Sequence, residues 1–299
     1  MKKILITGAN GLLGKELVKQ LLAKDYFVIG ISKGPMRFTV DSPLFKYYSV
    51  DITDDFYLHD LLFEEKPGIV IHTAAMTQVD ECETREEECL EINYHGTMNV
   101  LVGAEMHSSF IIHLSTDFVF DGVKGMYAED DERNPVNWYG HCKLLAENLM
   151  EDAEIPCAIV RTCLVYGKKT EGGRDNIITW VKDKLSAGEK IKVVDDQWRT
   201  PTYIGDLAKG IISIAEKKAQ GIFHISGKDL LTPYQMAVET ARYLGLDESL
   251  IEKVNADTFS QPAKRPLKTG FVIDKAKSEL DYEPLSFIEG IKKVFNYSS

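Results

Sequence analysis

The sequence predicts an α/β fold with a doubly wound parallel sheet, because short β-rich runs alternate with segments of helical periodicity. Such alternation is typical of parallel sheets whose two faces are both covered by helices. A glycine-spaced turn directly after the first run supports the same fold. The expected strands are residues 3–7, 27–31, 46–50, 69–73, 110–115 and 158–162, and helical periodicity marks residues 12–23 and 86–106 among others.

The first expected strand runs into Thr7-Gly8-Ala9-Asn10-Gly11-Leu12-Leu13-Gly14, which opens an amphipathic helix. Small residues there let backbone N–H groups approach a pyrophosphate at the positive end of the helix. The glycine spacing is three and three rather than the usual two and three, so a plain glycine-rich turn is the alternative. The residues expected to bind a dinucleotide here are Gly8, Asn10, Gly11, Leu12, Leu13 and Gly14.

The second expected strand ends in Ser32-Lys33-Gly34, with Arg37 close behind. NAD-selective sites usually carry an acidic residue at this place, whereas a hydroxyl and two cations suit a 2'-phosphate. We therefore expect NADPH rather than NADH, with solvated loop charges as the alternative reading of Lys33 and Arg37. At the end of the third strand, Asp51-Ile52 either contacts the adenine ring or opens the next helix, with Asp51 as its cap.

The fifth expected strand ends at Thr116, and a helical segment with Tyr139 and Lys143 follows. Residues four apart project from the same helical face, so the phenol and the ammonium can address one small volume. A nearby cation should lower the pKa of the phenol and prepare it for proton transfer, while the Thr116 hydroxyl bonds a carbonyl under reduction. Taken alone, the pair is more typical of a half-buried ring beside a solvated charge.

From about residue 168 the pattern changes to shorter helices and strands broken by glycine and proline. We expect a dinucleotide-binding (Rossmann) domain over residues 1–167 and a smaller α/β substrate-binding lobe mainly over residues 168–299. The run 221–226 is expected to return to the main sheet. Residues 204–226 would then belong to the first domain, and the lobe would be discontinuous.

Composition limits the partners and the location of the chain, which has 299 residues, 44% apolar content and a formal net charge of −11. The negative charge argues against nucleic acid and anionic membranes as partners, since both need a broad cationic face. No apolar stretch approaches the length of a secretory core or a membrane span, so a cytoplasmic protein is expected.

Cysteine and histidine spacing predicts no disulfide framework and no metal site. The five cysteines form no Cys-x-x-Cys pair, and the seven histidines lack the spacing that places two ligands on one helical face. We assign the thiols to packing.

These motifs together resemble the extended short-chain dehydrogenase/reductases, and within them the dTDP-4-dehydrorhamnose reductases. The resemblance covers nearly the whole chain, and its most specific parts are Val79-Asp80 and Ser115-Thr116-Asp117-Phe118-Val119-Phe120. It implies that Thr116, Tyr139 and Lys143 are catalytic, with Lys143 also bonding the nicotinamide ribose. It further implies cofactor contacts from Ala74, Ala75 and Asn93, a nicotinamide flanked by residues 161–167, sugar contacts from Val79, Asp80, Asp117, Phe118 and Leu164, and a nucleotide diphosphate held by Arg199 and Arg265.

The implied reaction is reduction of a 4-keto group on a nucleotide-activated 6-deoxyhexose, as in dTDP-rhamnose biosynthesis, with NADPH as cofactor and NADH as the alternative. Three positions depart from the family pattern. Phe118 lacks the hydroxyl of the more common tyrosine, Leu164 replaces a tryptophan, and Trp198-Arg199 stands where a glycine is common. These changes concern the pocket rather than the catalytic trio.

Two other functions remain open from the sequence. A nucleotide-sugar epimerase or dehydratase shares the fold and the Tyr-Lys pair but retains its NAD. A regulatory subunit similar to the beta subunit of methionine adenosyltransferase would bind NADP without turnover. The resemblance also leaves a homodimer open.

Overall fold

A computed structural model describes residues 2–169 and 173–296 of the chain. Its strands are β1 (Lys3–Thr7), β2 (Phe27–Ser32), β3 (Phe45–Ser49), β4 (Ile69–His72), β5 (Phe110–Thr116), β6 (Cys157–Thr162), β7 (Val165–Tyr166), β8 (Ile191–Val194), β9 (Thr202–Tyr203), β10 (Gly221–His224) and β11 (Ile251–Val254). The first six match the runs expected from the sequence to within one residue at either end.

The helices are α1 (Leu12–Leu22), α2 (Asp55–Glu65), α3 (Val79–Thr84), α4 (Glu86–Leu90), α5 (Gly96–Glu105), α6 (Trp138–Glu151), α7 (Ile177–Ser186), α8 (Ile204–Lys217), α9 (Pro233–Leu244), α10 (Asp274–Leu280) and α11 (Phe287–Phe295). A π-helical turn, Glu91–His95, joins α4 to α5. The stretch 86–106, expected as one helix, is therefore helical with a wider turn in its middle.

Seven parallel strands form the main sheet in the order β10-β6-β5-β4-β1-β2-β3. This confirms the predicted doubly wound α/β fold, including the return of β10 to the sheet beside β6. The chain winds from β1 to β3 in one direction and then restarts with β4 on the other side of β1. The carboxyl ends of β1 and β4 therefore border the crevice where such sheets bind ligands.

Alternating residues of the strands explain why both faces of the sheet are covered. Ile4 and Ile6 pack in a cluster with residues of α1 and α8, whereas Leu5 between them packs with residues of α2 and α5. Successive side chains of a strand point to opposite faces, so a continuous apolar run needs a helical layer on each side.

Two small parallel sheets, β8 with β11 and β7 with β9, belong to the later part of the chain. Residues of α7, α9, β8 and β11 share a separate apolar cluster. In contrast, Phe271, Ile273 and the buried residues of α10 pack in the large cluster that includes β10. The proposed division into two domains stays a prediction, and this segment of the expected lobe packs with the main sheet.

Within residues 2–169 and 173–296, no helix combines the length and the apolarity needed to span a bilayer.

Candidate functional site

The glycine turn lies directly against the loop that follows β4. Gly8 has a φ of +70°, and a Cβ added there would lie 2.9 Å from the backbone nitrogen of Ala74. A Cβ on Gly14 would lie 2.3 Å from the carbonyl oxygen of Gly8. Only glycine permits this conformation and this approach without displacement of the backbone.

The N-terminus of α1 can accept an anion. Its N-cap is Gly11, which offers no side-chain cap, and its first turn carries no acidic residue. The first amides of a helix lack intrahelical partners, and the helix dipole makes this end positive. The turn formed by Gly8, Gly11, Leu12, Leu13 and Gly14 therefore fits the diphosphate of a dinucleotide.

Asn10 and Ser32 hold the loop after β2 against the turn. The Asn10 side chain donates to the carbonyl of Pro35 and the hydroxyl of Tyr47, both at 3.0 Å, and accepts from the Arg37 amide at 2.8 Å. The Ser32 hydroxyl accepts from the backbone amide of Asn10 at 3.0 Å. The hydrogen-bonding atoms of the Asn10 side chain are therefore used for loop structure, so any cofactor contact of this residue depends on its backbone.

Lys33 and Asp51 were both expected to bind the cofactor, at the ends of the second and third strands. In the structure they lie together. Lys33 Nζ is 2.8 Å from Asp51 Oδ2, and the Lys33 side chain is 84% exposed. The neighbouring Ile52 is buried and packs near Gly96 at the start of α5. Hydrogen bonding to Asp51 raises the pKa of Lys33, so this lysine stays cationic at neutral pH.

Asn93 lies in the π-helical turn and holds the loop that contains Ala74 and Ala75. Its amide oxygen accepts from the backbone N–H of Met76 at 2.8 Å, and its amide nitrogen donates to the Met76 carbonyl at 2.9 Å. Asn93 is fully buried. The structure thus places it as a support for this loop, with its side chain turned to the backbone of Met76.

Thr116 and Tyr139 meet at the carboxyl end of β5. Asn137 caps α6 by accepting from the Gly140 amide, which places Tyr139 in the first turn of the helix. The phenol is buried and lies beside the Thr116 hydroxyl. The Phe118 ring packs edge-on against Tyr139 with centroids 6.0 Å apart.

The expected lowering of the Tyr139 pKa by Lys143 is wrong for this structure. Burial instead raises the pKa of Tyr139, with the neighbouring Thr116 hydroxyl acting in the opposite direction. Lys143 Nζ is directed elsewhere, donating to the Leu114 carbonyl at 2.7 Å and to His113 Nε2 at 3.0 Å. Burial lowers the pKa of Lys143 to about 8.

His113, which no sequence motif singled out, supports Lys143 from β5. Burial, followed by the charge of Lys143, holds the pKa of His113 well below its usual range, so the imidazole is neutral and accepts through Nε2. Its Nδ1 has no hydrogen-bond partner among residues 2–169 and 173–296. His72 lies beside it at the same register on β4, with ring centroids 5.3 Å apart. A histidine within each of two apolar strands was the available signal.

The residues expected to contact the sugar lie in different settings. Val79 packs partly buried in a cluster with Tyr139 and three cysteines, Cys82, Cys89 and Cys142. Leu164 is 38% exposed and has a φ of +38°. All five cysteines carry free thiols. Among the residues described, no group of three or more histidine, cysteine or acidic side chains has a geometry suited to a metal ion.

Asp80 and Arg265 form a paired bridge between α3 and the loop before α10. The Arg265 guanidinium donates to both carboxylate oxygens, at 2.5 and 2.6 Å, and the Ala263 amide adds a third bond at 3.1 Å. Arg265 was expected to hold a diphosphate and Asp80 to contact the sugar. In this structure the Asp80 carboxylate neutralises the charge of Arg265. The two side chains are therefore paired with each other in this structure.

Arg199 is buried rather than directed to a ligand, which corrects its expected role as a diphosphate-binding residue. Its terminal nitrogens donate to the carbonyls of Trp198, Pro266 and Leu267 and to the Gln197 amide oxygen. The remaining nitrogen, Nε, faces Asp117. These contacts use the guanidinium donors within the protein.

Arg161, at the start of the segment expected to flank the nicotinamide, is also occupied. It is fully buried and bonds Glu147 through Nε and Nη2 at 2.9 and 2.8 Å. Glu147 also accepts from Ser115 at 2.5 Å and from Arg133 at 3.0 Å. This network fixes α6 to β5 and β6 beneath the site.

The whole chain, residues 1–299, matches the family model described as the RmlD substrate binding domain. The probable low-salt glycan biosynthesis reductase Agl14 of Haloferax volcanii is 32% identical over 281 residues, 92% of this chain and 91% of that protein. Methionine adenosyltransferase 2 subunit beta of Bos taurus is 30% identical over 271 residues, 89% of this chain and 78% of that protein. The crystal structure of dTDP-4-dehydrorhamnose reductase from Bacillus anthracis in complex with NADP aligns with a TM-score of 0.88 and 27% identity, covering 100% of both chains.

Proposed function

Because the chain belongs to the family of the RmlD substrate binding domain, we propose that it reduces the 4-keto group of a nucleotide-activated deoxysugar with NADPH. The family is one of NAD(P)H-dependent reductases of the extended short-chain type that act on nucleotide sugars. The finer assignment to dTDP-4-dehydrorhamnose belongs to the proposal, since relatives of about this similarity carry different names.

The convergence of Thr116 and Tyr139 above Lys143 is the observation that carries the proposal. The phenol and the hydroxyl lie next to each other at the end of β5, and the ammonium is buried one helical turn after Tyr139. The same edge of the sheet carries the glycine turn and the open N-terminus of α1. A proton donor and a dinucleotide cradle therefore share one crevice.

The side chains then divide the work as follows. NADPH, when bound, supplies the hydride. Tyr139 keeps its proton at neutral pH because burial raises its pKa, and it delivers that proton from its phenol oxygen to the developing alkoxide. Thr116 orients the phenol, and Lys143 adds positive charge next to the site, where it can bond a ribose hydroxyl.

Lys33 supports NADPH over NADH. It follows the last residue of β2, is largely exposed, and has Ser32 beside it. Its pairing with Asp51 leaves the ammonium at the surface, where a 2'-phosphate could compete for it. The related Bacillus anthracis reductase was crystallised with NADP.

The sugar would lie between Val79, Phe118 and Leu164, with Asp80 and Arg265 at the entrance. Leu164 offers a smaller apolar surface than an indole ring, and Phe118 offers no hydroxyl. We propose a 6-deoxy-4-keto sugar as the substrate class, as the family resemblance implies. Because of Leu164 and Phe118, we expect the preference among such sugars to differ from that of reductases with tryptophan in place of Leu164.

The test is the loss of NADPH absorbance with a panel of 4-keto nucleotide sugars, repeated with NADH for the best substrate. We expect turnover with at least one sugar, and a Tyr139→Phe variant that still binds NADPH should lose about 10²–10⁴-fold in kcat. Unchanged turnover in that variant would rule out the acid role of Tyr139. Tightly bound NAD in the purified protein would instead indicate an epimerase or dehydratase.

A regulatory role is the second candidate, favoured by the similarity to the beta subunit of methionine adenosyltransferase over 89% of this chain. Such a protein would bind NADPH without reducing any sugar. NADPH binding by fluorescence titration, combined with no turnover across the panel, would support this candidate over the reductase.

A further inference from the structure

Arg199 joins the later part of the chain to the segment that carries Thr116. It is 4% exposed. Its terminal nitrogens donate hydrogen bonds of 2.7–3.0 Å to the carbonyls of Trp198, Pro266 and Leu267. A guanidinium held by several carbonyls has a fixed orientation, because its donors form a rigid planar fork.

The same guanidinium faces the two residues that follow Thr116. Arg199 Nε is 3.7 Å from Asp117 Oδ2, and the guanidinium carbon lies 5.8 Å from the centre of the Phe118 ring. Phe118 in turn packs on Tyr139. The buried Arg199 guanidinium is therefore close to Asp117, which follows Thr116 in the chain, and to Phe118, which packs on Tyr139.

Asp117 is a buried carboxylate that accepts several hydrogen bonds. Its Oδ2 accepts from the Thr269 hydroxyl and from Cys163 Sγ at 3.4 Å, and its Oδ1 accepts from the Thr116 hydroxyl at 3.2 Å. The titratable groups facing it are Arg199, Cys163 at the end of β6 and Tyr139 on α6. Arg199 is the cation among them.

Burial raises the pKa of Asp117, and Arg199 is the foremost group that opposes this rise. An isolated carboxylate at such a site would take up a proton rather than remain charged. The state of Asp117 matters because Thr116 has a single hydroxyl proton, which it gives to Asp117 Oδ1.

We propose that Arg199 is a positioning residue that keeps Asp117 as a carboxylate and thereby holds the Thr116 hydroxyl, next to the Tyr139 phenol, as a donor to Asp117. The inference rests on the proposed reductase function for its catalytic consequence. Protonated Asp117 would donate to Thr116 and release the Thr116 proton from this contact. The hydroxyl beside the Tyr139 phenol would then no longer be held in one orientation.

The kinetic experiment compares pH profiles of kcat for the wild-type protein, Arg199→Gln and Arg199→Lys. Removal of the cation should move the acidic limb of the Gln profile to higher pH by about 1–3 units, since an opposite charge at this range lowers a carboxyl pKa by that amount. The Lys variant should show a smaller displacement, and NADPH affinity should change little. The limb should be absent from Arg199→Gln/Asp117→Asn. An unchanged profile, or a displacement to lower pH, overturns the proposal.

Unfolding by urea at pH 5 and pH 8 tests the same coupling without turnover. A carboxyl whose folded pKa is raised stabilises the protein below its unfolded pKa, and this contribution is lost as pH rises through the folded value. Arg199→Gln should therefore lose more stability, relative to wild type, at pH 8 than at pH 5. In the Asp117→Asn background the loss should be equal at both pH values.

The two experiments separate failure of the inference from failure of the proposed function. If the wild-type protein reduces no sugar, the reductase proposal fails and the unfolding measurements alone decide the role of Arg199. A pH-independent loss in both backgrounds would show that Arg199 acts only in packing. Should the Gln variant not fold, the Lys variant decides in the same way, because its shorter reach weakens the contact with Asp117.

Discussion

Leu164 has a positive φ of +38° although it does not lie at the end of a helix. The other non-glycine residues with positive φ in the described chain lie at or within three residues of helix C-termini, where a left-handed residue commonly ends the helix: Asp25, Lys66, Ser108, Lys218 and Asp281. Leu164 lies between β6 and β7, at the candidate sugar position. A strained residue at a candidate site is an indication of function.

We predict that Leu164→Gly is more stable than Leu164→Ala by about 1 kcal/mol in the free energy of unfolding, because glycine adopts positive φ without steric cost. Both variants remove the same partly exposed side chain, so each controls for the lost apolar contacts of the other. Urea denaturation measures the difference. An alanine variant equal to or more stable than the glycine variant would contradict strain at this position.

The spacing of Tyr139 and Lys143 predicted their shared helical face but not the destination of the ammonium. Helical periodicity fixes direction around the helix axis and contains no information about the strand beneath it. His113 is the acceptor that redirects Lys143, and the two residues are 30 positions apart. Likewise, nothing in the local sequence indicated that Asp80 and Arg265, 185 positions apart, would meet.

At the level of elements, the position of α6 depends on Gly140. A Cβ at this residue would lie 2.1 Å from the carbonyl oxygen of Phe118 and 3.0 Å from the Pro135 Cβ. The first turn of α6 can therefore approach the end of β5 only because residue 140 lacks a side chain. This close approach brings Tyr139 to Thr116.

We predict that Gly140→Ala lowers the free energy of unfolding by about 1–3 kcal/mol, as expected when added volume displaces backbone. Because Tyr139 moves with the helix, turnover of the best sugar should fall about 10²-fold, the cost of a displacement near 1 Å. Urea denaturation and NADPH oxidation measure the two effects.

Asn148→Ala provides the matched control on the same helix, since Asn148 is exposed on the solvent face of α6. It should change stability by no more than about 0.5 kcal/mol and leave turnover intact. A Gly140→Ala variant as active as this control would show that α6 tolerates the shift.

The π-helical turn at Glu91–His95 is an element that sequence periodicity could not predict. The apolar spacing of residues 86–106 fits an ordinary helix, and one extra residue in a turn changes that spacing very little. The turn contains Asn93, whose side chain bonds both backbone groups of Met76. The family resemblance indicated the importance of Asn93, but its loop-supporting contact required the fold.

At the scale of the whole molecule, the sequence predicted the main sheet better than the packing of the later segments. Alternation of strands and helices predicts a parallel sheet and puts every strand-end motif on one edge. The contacts of Arg199 and Arg265 depend on how residues 263–269 return to that edge. Such returns are set by long-range packing, whereas the family resemblance implied ligand binding for both arginines.

Three neutral histidines buried in the protein predict a loss of stability in acid. Burial lowers the pKa of His224 and of His72 to about 3, and that of His113 also falls well below its usual value. Because the unfolded chain binds protons at these groups from about pH 6.5 downwards, the free energy of unfolding should fall as pH decreases from about 6.5 towards 3.

His224 is the most suitable of the three for a test, because the charge that adds to burial in lowering its pKa is that of Arg161 and not that of Lys143. Its Nδ1 donates to the Tyr127 carbonyl at 3.1 Å, and its ring stacks on Phe271 with centroids 3.9 Å apart. We predict that His224→Gln lowers stability at pH 7 but reduces the slope of unfolding free energy against pH by up to about 1.4 kcal/mol per unit between pH 6 and 4. His141→Gln, at an exposed histidine of α6, is the matched control variant. Urea denaturation at several pH values measures both, and equal slopes for wild type and His224→Gln would mean that His224 gains its proton within the folded protein.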